Sequence, residues 1–470
     1  MKTVMKRVLV GIALACLTVA IGPPTLAQET PEPTSTVEEE IRKLREAGIP
    51  TTLEELALPD IPDDENGAFL YRQAFERLDA LSEKHKAEWD YIPYVGSVEW
   101  ADLPPEKKNT ITNLVLCSAD FSAVHELLEK ASLMQCAFLS KEDYGKDRGS
   151  IKLVPHLGKL RGCTRLLAAK AQLEAENGQI DAALRTVLTN IRAAKCLSNE
   201  PFIFSQIIRM ALDGIALYNL EEVLEHRQGS ISVYQSLVDE IRGERASNLT
   251  KLGLRGEIVV FGLPAFSSLR QAGSGISEEQ IEGLVWFVRW SEGDRKEGLL
   301  ARKILREEGP DKFWREEERI YLQSMYELFL MAGKQRWERA EELMRFRHVL
   351  LRAPRGRGLF IRSVSDHYSR THDSEARLDA RLGTAEIALA LRIYKSKHGF
   401  YPFRLADLVP EIIPELPKDP YTGKDFLYNP KGLNILIYSV GPNLKDDFGV
   451  SEIGKRPHED YDIVWELSYF

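Results

Sequence analysis

The sequence is poor in cysteine, with five in 470 residues, at positions 16, 117, 136, 163 and 196. So few cysteines cannot be the main cross-links of a chain this long, which excludes a disulfide-dense secreted scaffold. The spacings among the last four match no zinc-binding or redox motif. Two alternatives stay open for these four residues: one or two disulfide bridges, or free thiols on apolar helix faces.

The sequence also lacks the motifs that mark common catalytic and nucleotide-binding sites. It contains no Walker loop, dinucleotide-binding fingerprint or nucleophile elbow, and 125-HELLE-129 has Glu129 where a second zinc-binding histidine would stand. The two histidines of 366-DHYSRTHD-373 are about 140° apart around a helix, so they do not share one face for a metal. This segment is predicted to be an exposed polar loop, and no catalytic residue is assigned.

The apolar run at the N-terminus is too short to cross a bilayer as a helix. It extends from Val8 to Ile21 after three basic residues, and Thr25-Leu26-Ala27 offers small residues for cleavage. These features are typical of a secretory signal peptide. We therefore predict a signal peptide at 1–27 and export to the periplasm or the extracellular space. A lipoprotein anchor through Cys16 is the weaker alternative, because the residues before it match a lipobox poorly.

The chain has no overall basic excess. Its net charge is −9, and loss of residues 1–27, which hold three basic and no acidic side chains, makes the mature chain −12. An acidic, exported protein has no general attraction to nucleic acid. One basic stretch lies between Arg345 and Arg362, with arginines at 345, 347, 352, 355, 357 and 362 and no acid. It can contact an anionic membrane or an acidic partner, or it can pair with acidic helices of the same chain.

Apolar residues at helical spacing fill most of the chain after a polar linker at 28–36. We predict a helical domain over 37–365, divisible into two subdomains near the glycine-containing stretch 229–275. Its clearest part is an antiparallel helical hairpin over 157–197, in which Asn177-Gly178 ends the first helix. The hairpin corner resembles that of a tetratricopeptide repeat, but no second copy follows at the period that a repeat array requires.

After Gly399 the pattern changes to prolines and short β-prone runs at 426–428, 435–439 and 462–467. Together with a helix at 374–397, these runs predict a small α+β domain over 366–470. The predicted fold class is therefore mainly α: a multi-helical body followed by a long helix packed on a three-stranded antiparallel sheet.

The order of motifs in this last domain resembles the periplasmic domain of the major pseudopilin of type II secretion systems. The motifs are 388-ALALRIYKSKHGFYP-402, 417-PKDPYTGKDFLYN-429, 438-YSVGPNLKDD-447 and 459-EDYDIVW-465. The resemblance implies the helix-and-sheet fold, an extracytoplasmic location and a bound calcium ion. The prepilin-peptidase site of that family is missing, so polymerisation into a pseudopilus is not implied.

By the same resemblance, the calcium ligands are Asn443, Asp446, Asp447, Asp460 and Asp462. Their carboxylate and amide oxygens are of the type that calcium prefers. However, Asn443-Leu444 stands where the family has Asp-Gly, so one carboxylate and the turn glycine are missing. The alternative is an Asp-rich turn whose acids accept hydrogen bonds from backbone N–H groups.

Three functions are compatible with these patterns. The helical hairpin and the lack of a catalytic motif favour an exported scaffold or interaction protein with a protein partner outside the cytoplasm. The alternative from another class is an extracytoplasmic hydrolase whose site is assembled from scattered acids and histidines. The pseudopilin resemblance alone suggests an accessory of a type II secretion-like machine, which is an analogy at the level of fold.

Overall fold

The computed structural model describes residues 35–56, 58–139, 155–272, 292–339, 342, 346, 355–430, 434–451 and 461–468. Within these ranges the chain is mainly helical and ends in a three-stranded antiparallel sheet, which confirms the predicted fold class. The predicted signal peptide at 1–27 and the linker up to residue 34 lie outside the described residues.

The first helix, α1, covers Val37–Glu46 and begins where the sequence predicts. The Thr36 hydroxyl accepts a hydrogen bond from the Glu39 amide at 3.2 Å, and the Glu39 carboxylate accepts one from the Thr36 amide at 2.8 Å. This reciprocal pair is a capping box, which satisfies two backbone donors that the helix itself leaves free. Three longer helices follow: α2 at Ala68–Lys84, α3 at Pro105–Cys117 and α4 at Ala119–Ser132. A single helical turn at Lys86–Trp89 lies between α2 and α3.

The predicted helical hairpin is confirmed. It consists of α5, Pro155–Glu176, and α6, Ile180–Ala194. Gly178 lies between them at φ +76°, a left-handed conformation that glycine adopts without steric cost. A third helix, α7 at Ile203–Leu224, packs against both members of the hairpin.

The stretch 229–275, where glycine and proline predict a break, is instead largely helical. It contains α8 at Ile231–Arg245, α9 at Leu249–Gly256, a π-helical turn at Glu257–Gly262 and α10 at Leu263–Ala272. Its glycines mark close contacts between helices: a Cβ on Gly253 would lie 2.8 Å from the Cα of Ile203. The run Leu249–Arg270 is long and apolar enough to span a membrane, but 44% of it is buried, and soluble core helices pass the same test.

The next helices are α11 at Glu292–Glu308, α12 at Pro310–Ala332 and α13 at Leu359–His398. The prediction of an exposed loop at 366–373 is wrong, because this segment lies inside α13 and the side chain of His372 is buried. The helix begins at Leu359, before the predicted start at 374, because the N-terminus is capped from another helix. Buried Glu317 on α12 accepts hydrogen bonds from the amides of Gly358 and Leu359 at 2.7 and 2.8 Å. These amides belong to the helix N-terminus, where a carboxylate is favourable.

The sheet consists of β1, Leu427–Asn429, β2, Asn434–Ser439, and β3, Ile463–Ser468, in that order and antiparallel. Each strand lies within one residue of its predicted bounds. On the inner face, Ile437 pairs with Trp465 across β2 and β3, and both side chains are fully buried. This face packs on α13 because alternate strand residues point to the same side.

One hydrophobic core joins the sheet to the helical hairpin. It includes Leu184 of α6, Leu220 of α7, Leu389 of α13 and Trp465 of β3. Helix α13 therefore lies between the sheet on one side and helices α7 and α8 on the other. The division predicted at 365/366 stays a prediction, and this core spans it.

Candidate functional site

The loop between β2 and β3 contains most of the residues that the pseudopilin resemblance selects. We call residues 441–450 the sheet-end loop. Asp462, which is fully buried at the start of β3, accepts hydrogen bonds from the amides of Asp447 at 3.2 Å and Gly449 at 2.7 Å. Its own amide donates to the carbonyl of Val450 at 2.8 Å. Asp462 therefore fixes the second half of the loop to the sheet.

The other described candidate ligands, Asn443, Asp446 and Asp447, form hydrogen bonds within the sheet-end loop. The Asn443 amide group donates to Asp447 at 2.8 Å, and its oxygen accepts the amide of Lys445 at 3.0 Å. A carboxylate oxygen of Asp446 accepts the amide of Phe448 at 2.9 Å. These are the hydrogen bonds of the capped-turn alternative, which uses side-chain oxygens to satisfy backbone donors.

The sequence motif search missed Asp419, which supports the first half of the loop. This carboxylate is buried and accepts hydrogen bonds from the Ser439 hydroxyl at 3.0 Å and the Tyr421 amide at 2.9 Å. Burial raises its pKa, although these donors lower it in part. Asp419 belongs to the Lys-Asp-Pro turn of the pseudopilin-like series, so its position in that motif was an available signal.

Burial also raises the pKa of Asp462, while the amides of Gly449 and Asp447 oppose the rise and the carboxylates of Asp447 and Asp446 add to it. Among the residues that the structure describes, no three His, Cys, Asp or Glu side chains are grouped so that they could hold a metal ion. Asp460 lies outside the described residues. The described part of the loop does not by itself form a cation site, and the calcium hypothesis stays a prediction.

Thermal unfolding of the mature chain tests the calcium hypothesis directly. If calcium binds only the folded state, the midpoint of thermal unfolding should be higher in excess calcium than in chelator. At a calcium concentration 100-fold above Kd, binding should add about 2.7 kcal/mol to the free energy of unfolding. The substitution Asp446→Asn should reduce this difference, because it removes one hard oxygen charge. Identical midpoints in chelator and in calcium would contradict the hypothesis.

The sheet-end loop combines backbone strain with exposed apolar side chains. Leu444 and Phe448 both have φ +59°, in the left-handed region that non-glycine residues rarely adopt. Their side chains are 59% and 85% exposed, and Val450 is 43% exposed. Each left-handed residue costs about 1–2 kcal/mol, which the surrounding hydrogen bonds must offset. The hydrogen bonds to Asp462 and Asp446 thus hold a conformation that directs apolar groups into solvent.

A second polar cluster lies between the segment after α2 and helix α7. Tyr94, another non-glycine residue with positive φ (+64°), donates its hydroxyl hydrogen bond to Glu222. Asn219 donates to the same hydroxyl at 3.4 Å and to the carbonyl of Ala168 at 3.2 Å. Burial raises the pKa of Glu222 to about 7, with the Tyr94 hydrogen bond opposing the rise. Glu222 therefore changes charge near neutral pH.

This titration predicts a specific pH dependence of stability. Because the folded-state pKa of Glu222 is raised, its favourable contribution is complete below about 4.5 and is lost as pH rises through about 7. Between pH 5 and pH 8, wild type should lose on the order of 1–3 kcal/mol relative to Glu222→Gln, which cannot ionise. Urea unfolding at both pH values measures this difference. The matched control is Glu76→Gln at an exposed position of α2, for which the difference from wild type should be the same at both pH values.

A third cluster resembles a hydrolase site in composition but not in connectivity. Buried Glu200 lies 2.7 Å from Nε2 of His156 and accepts the Ser205 hydroxyl hydrogen bond at 2.7 Å. A nucleophilic serine requires the histidine as its base, with the acid behind the histidine. Here the acid stands between the other two residues. The cluster therefore places the carboxylate of Glu200, and not the histidine, next to the Ser205 hydroxyl.

Of the six arginines in the basic stretch between Arg345 and Arg362, the structure describes the side chains of two, Arg355 and Arg357. Arg357 is buried, forms an ion pair with Glu308, and lies over the ring of Phe313 at 4.6 Å. For Arg357 the structure favours pairing within the chain over contact with a membrane. The other arginines of the stretch have side chains outside the described set.

Comparisons with known proteins add no family assignment: no protein family, no curated protein and no solved structure matches this chain.

Proposed function

We propose that this chain is an exported interaction protein and that the sheet-end loop, residues 441–450, is its docking element for a protein partner outside the cytoplasm. The observation that carries the proposal is the pair of exposed side chains Leu444 and Phe448, held at positive φ. Backbone strain persists only where surrounding structure maintains it, and such strain is concentrated at functional positions.

The sheet-end loop connects two strands that are packed in the main core, which supports a docking role. Asp462 and Asp419 anchor its two ends, and the sheet below packs on α13 in the main core. Gly449 itself lies against β2, where an added Cβ would come within 2.9 Å of the Leu436 side chain. A preorganised loop loses little conformational entropy on binding, which favours affinity.

Charge favours a protein partner over a membrane surface. Two carboxylates, Asp446 and Asp447, and one amine, Lys445, lie between Leu444 and Phe448, so this segment is acidic by one charge. The whole chain has a net charge of −9, and −12 without the predicted signal peptide. Anionic lipid attracts basic segments and repels acidic ones. An exposed aromatic surrounded by polar groups fits the usual anatomy of a protein interface, in which one buried aromatic anchor is ringed by polar contacts. The helix-and-sheet architecture agrees with the pseudopilin resemblance, which supports the extracytoplasmic location.

Position-specific crosslinking tests the proposal. A photoreactive phenylalanine analogue at 448 should crosslink one protein species among the exported proteins of the source cells. The same analogue at 204, which is also an exposed phenylalanine (53%), should not. With the purified partner, Phe448→Ser should weaken binding at least about tenfold, as loss of a hot-spot residue does, while Phe204→Ser should leave it unchanged. Crosslinking to lipid alone, or equal products from both positions, would overturn the proposal.

The strain in the loop gives a further prediction that needs no partner. Replacing Phe448 by glycine should raise the free energy of unfolding by about 0.5–1 kcal/mol, because relief of the left-handed strain exceeds the added chain entropy. The exposed ring loses little packing when it is removed. Urea denaturation measures the change. A loss of stability would show that the Phe448 side chain packs on the fold, which would argue against its role as a docking group.

A further inference from the structure

We propose that the turn after α13, residues 399–404, is a contact surface for an anionic phospholipid bilayer. Two phenylalanines of this turn lie in solvent: Phe400 is 53% exposed and Phe403 is 84% exposed. Residues 395–406 contain no acid, and their basic side chains are Lys395, Lys397 and Arg404. Apolar rings beside cations are the combination that an anionic bilayer surface attracts. The inference is independent of the sheet-end loop and of its proposed partner.

The backbone conformation at the end of α13 starts the turn. Gly399 has φ +83°, a left-handed conformation that favours glycine, and its amide donates a hydrogen bond to the carbonyl of Lys395 at 2.8 Å. The ring centroid of Phe400 is 6.1 Å from that of Tyr394 and 6.3 Å from that of His398. Phe400 therefore lies against the last turns of α13 and remains half in solvent.

Buried neighbours hold the rest of the turn in place. Tyr401 and Pro402 are buried, and Tyr401 belongs to the main hydrophobic core. The Tyr428 hydroxyl on β1 donates a hydrogen bond to the carbonyl of Pro402 at 2.8 Å. The next side chain, that of Phe403, lies in solvent. Because the backbone on which this ring stands is fixed to the helix and the sheet, the ring can enter a bilayer interface without unfolding the chain.

The cations beside the turn outnumber the acids that contact them. Lys397 lies 3.4 Å from Glu411, and 47% of the Glu411 side chain is exposed. Arg404 lies 2.9 Å from Asp407, and 77% of the Arg404 side chain is exposed. Exposed pairs of this kind are weak, so each cation can exchange its carboxylate for a lipid phosphate. With Lys395 as the third cation, the surface is net positive in a chain that is acidic overall.

Composition favours a bilayer over a protein partner for this surface. Lysine is depleted in protein interfaces, whose aromatic anchors usually fill pockets of the partner. At a bilayer, lysine and arginine keep their charged ends at the phosphates while their alkyl chains follow nearby rings into the apolar layer. Two lysines, one arginine and two phenylalanines without a polar group match the second case. The acidic sheet-end loop has the opposite charge and does not share this property.

Sedimentation with lipid vesicles tests the proposal. The chain without the predicted signal peptide should bind vesicles of phosphatidylglycerol and phosphatidylcholine in equal parts, and it should not bind phosphatidylcholine alone. Binding should weaken as the salt concentration is raised, because ions screen the attraction. Phe403→Ser should lower the partition coefficient at least about tenfold, since the ring no longer leaves water. Replacing Lys397 and Arg404 together by glutamine should lower it at least about fivefold.

Phe69→Ser is the matched control, because Phe69 is also exposed (60%) but lies in α2, outside this surface. It should leave vesicle binding unchanged. Phe403→Ser should keep the wild-type midpoint of thermal unfolding, which separates loss of binding from loss of fold.

Three results would overturn the proposal. They are no binding to anionic vesicles, equal binding to neutral ones, or binding that a chain with both Phe400→Ser and Phe403→Ser retains. Binding of polyglutamate but not of vesicles would also overturn it, in favour of an acidic protein partner. All these measurements use lipid or polyglutamate alone, so their outcome is separate from that of the crosslinking experiment at Phe448.

Discussion

Replacing Glu375 with leucine should lower the free energy of unfolding by about 3–5 kcal/mol, because it removes the carboxylate that pairs with the buried guanidinium of Arg339. Glu375 is 1% exposed and lies 2.8 Å from Arg339, which is itself 3% exposed. Leucine keeps most of the volume but leaves the guanidinium without its counter-charge. Urea or guanidinium unfolding, with wild type measured in parallel, gives the change.

Glu375 has other partners besides Arg339. Its oxygens accept hydrogen bonds from the Leu249 amide at 2.8 Å and the Thr250 hydroxyl at 2.9 Å, so α13 caps the N-terminus of α9. Arg336 approaches it at 3.6 Å and pairs with Asp379 at 3.0 Å. Loss of the carboxylate therefore leaves both a charge and helix N-terminal donors unsatisfied, and each adds to the penalty.

The pH dependence of this contribution has a definite sign. Burial raises the pKa of Glu375, but Arg336, Arg339, the Thr250 hydroxyl and the Leu249 amide lower it more, so the net shift is downward. The stabilisation is therefore present above the unfolded pKa of about 4.5 and is lost as pH falls below it. The deficit of Glu375→Leu relative to wild type should shrink in acid.

An exposed ion pair provides the matched control. Glu411 contacts Lys397 and His398 at the C-terminal end of α13, with 47% of its side chain exposed. Glu411→Ala should cost no more than about 1 kcal/mol, because solvent screens exposed pairs. If Glu375→Leu cost as little as the control, the buried network would have no role in holding α9 and the segment after α12 to α13.

Replacing Gly256 with alanine should be the most damaging single-methyl change among the helical glycines described. The new Cβ would lie 1.9 Å from the carbonyl oxygen of Pro201 and 2.8 Å from its carbon. Both are backbone atoms, so no side-chain rotation relieves the clash. Separating α9 from the segment before α7 by enough to fit a methyl group should cost about 3 kcal/mol or more, at the upper end for overpacking.

Gly214 is the matched control for this prediction. It lies in α7, and an added Cβ would have no atom within 4 Å. Gly214→Ala should therefore raise the free energy of unfolding by about 0.5–1 kcal/mol, since alanine restricts the unfolded chain and favours the helix. Chemical denaturation of both variants measures the contrast. Equal small effects at the two positions would contradict the close approach at Gly256.

Several elements follow from short stretches of sequence. The turn at Gly178 and the strand at 435–439 each depend on residues a few positions apart, and both predictions are confirmed by the structure. The capping box at Thr36 is equally local. The pseudopilin-like order of motifs led to Asp462, which anchors the sheet-end loop. It did not lead to Asp419 as a second anchor, because that contact joins the 417–420 turn to the end of β2.

Other features depend on contacts between distant segments. The glycines of 229–275 indicated a break in the chain, yet Gly253 and Gly256 permit close approach to Ile203 and Pro201. The polar segment 366–373 indicated a loop, but its helix begins at Leu359 because Glu317 on another helix supplies the cap. A local pattern cannot distinguish a glycine that permits a turn from a glycine that permits close packing of two segments.

The local pattern was therefore sufficient for the class of fold, the hairpin and the three strands, because helix caps, turns and alternation are set by near neighbours. Only the tertiary structure decided which charged residues are buried and which apolar side chains remain in solvent. Glu375 and Arg339, and Asp462 with the amides of Asp447 and Gly449, acquire their roles from partners that the fold brings together. Burial changes the energy of each of these groups, and burial depends on packing between segments remote in sequence.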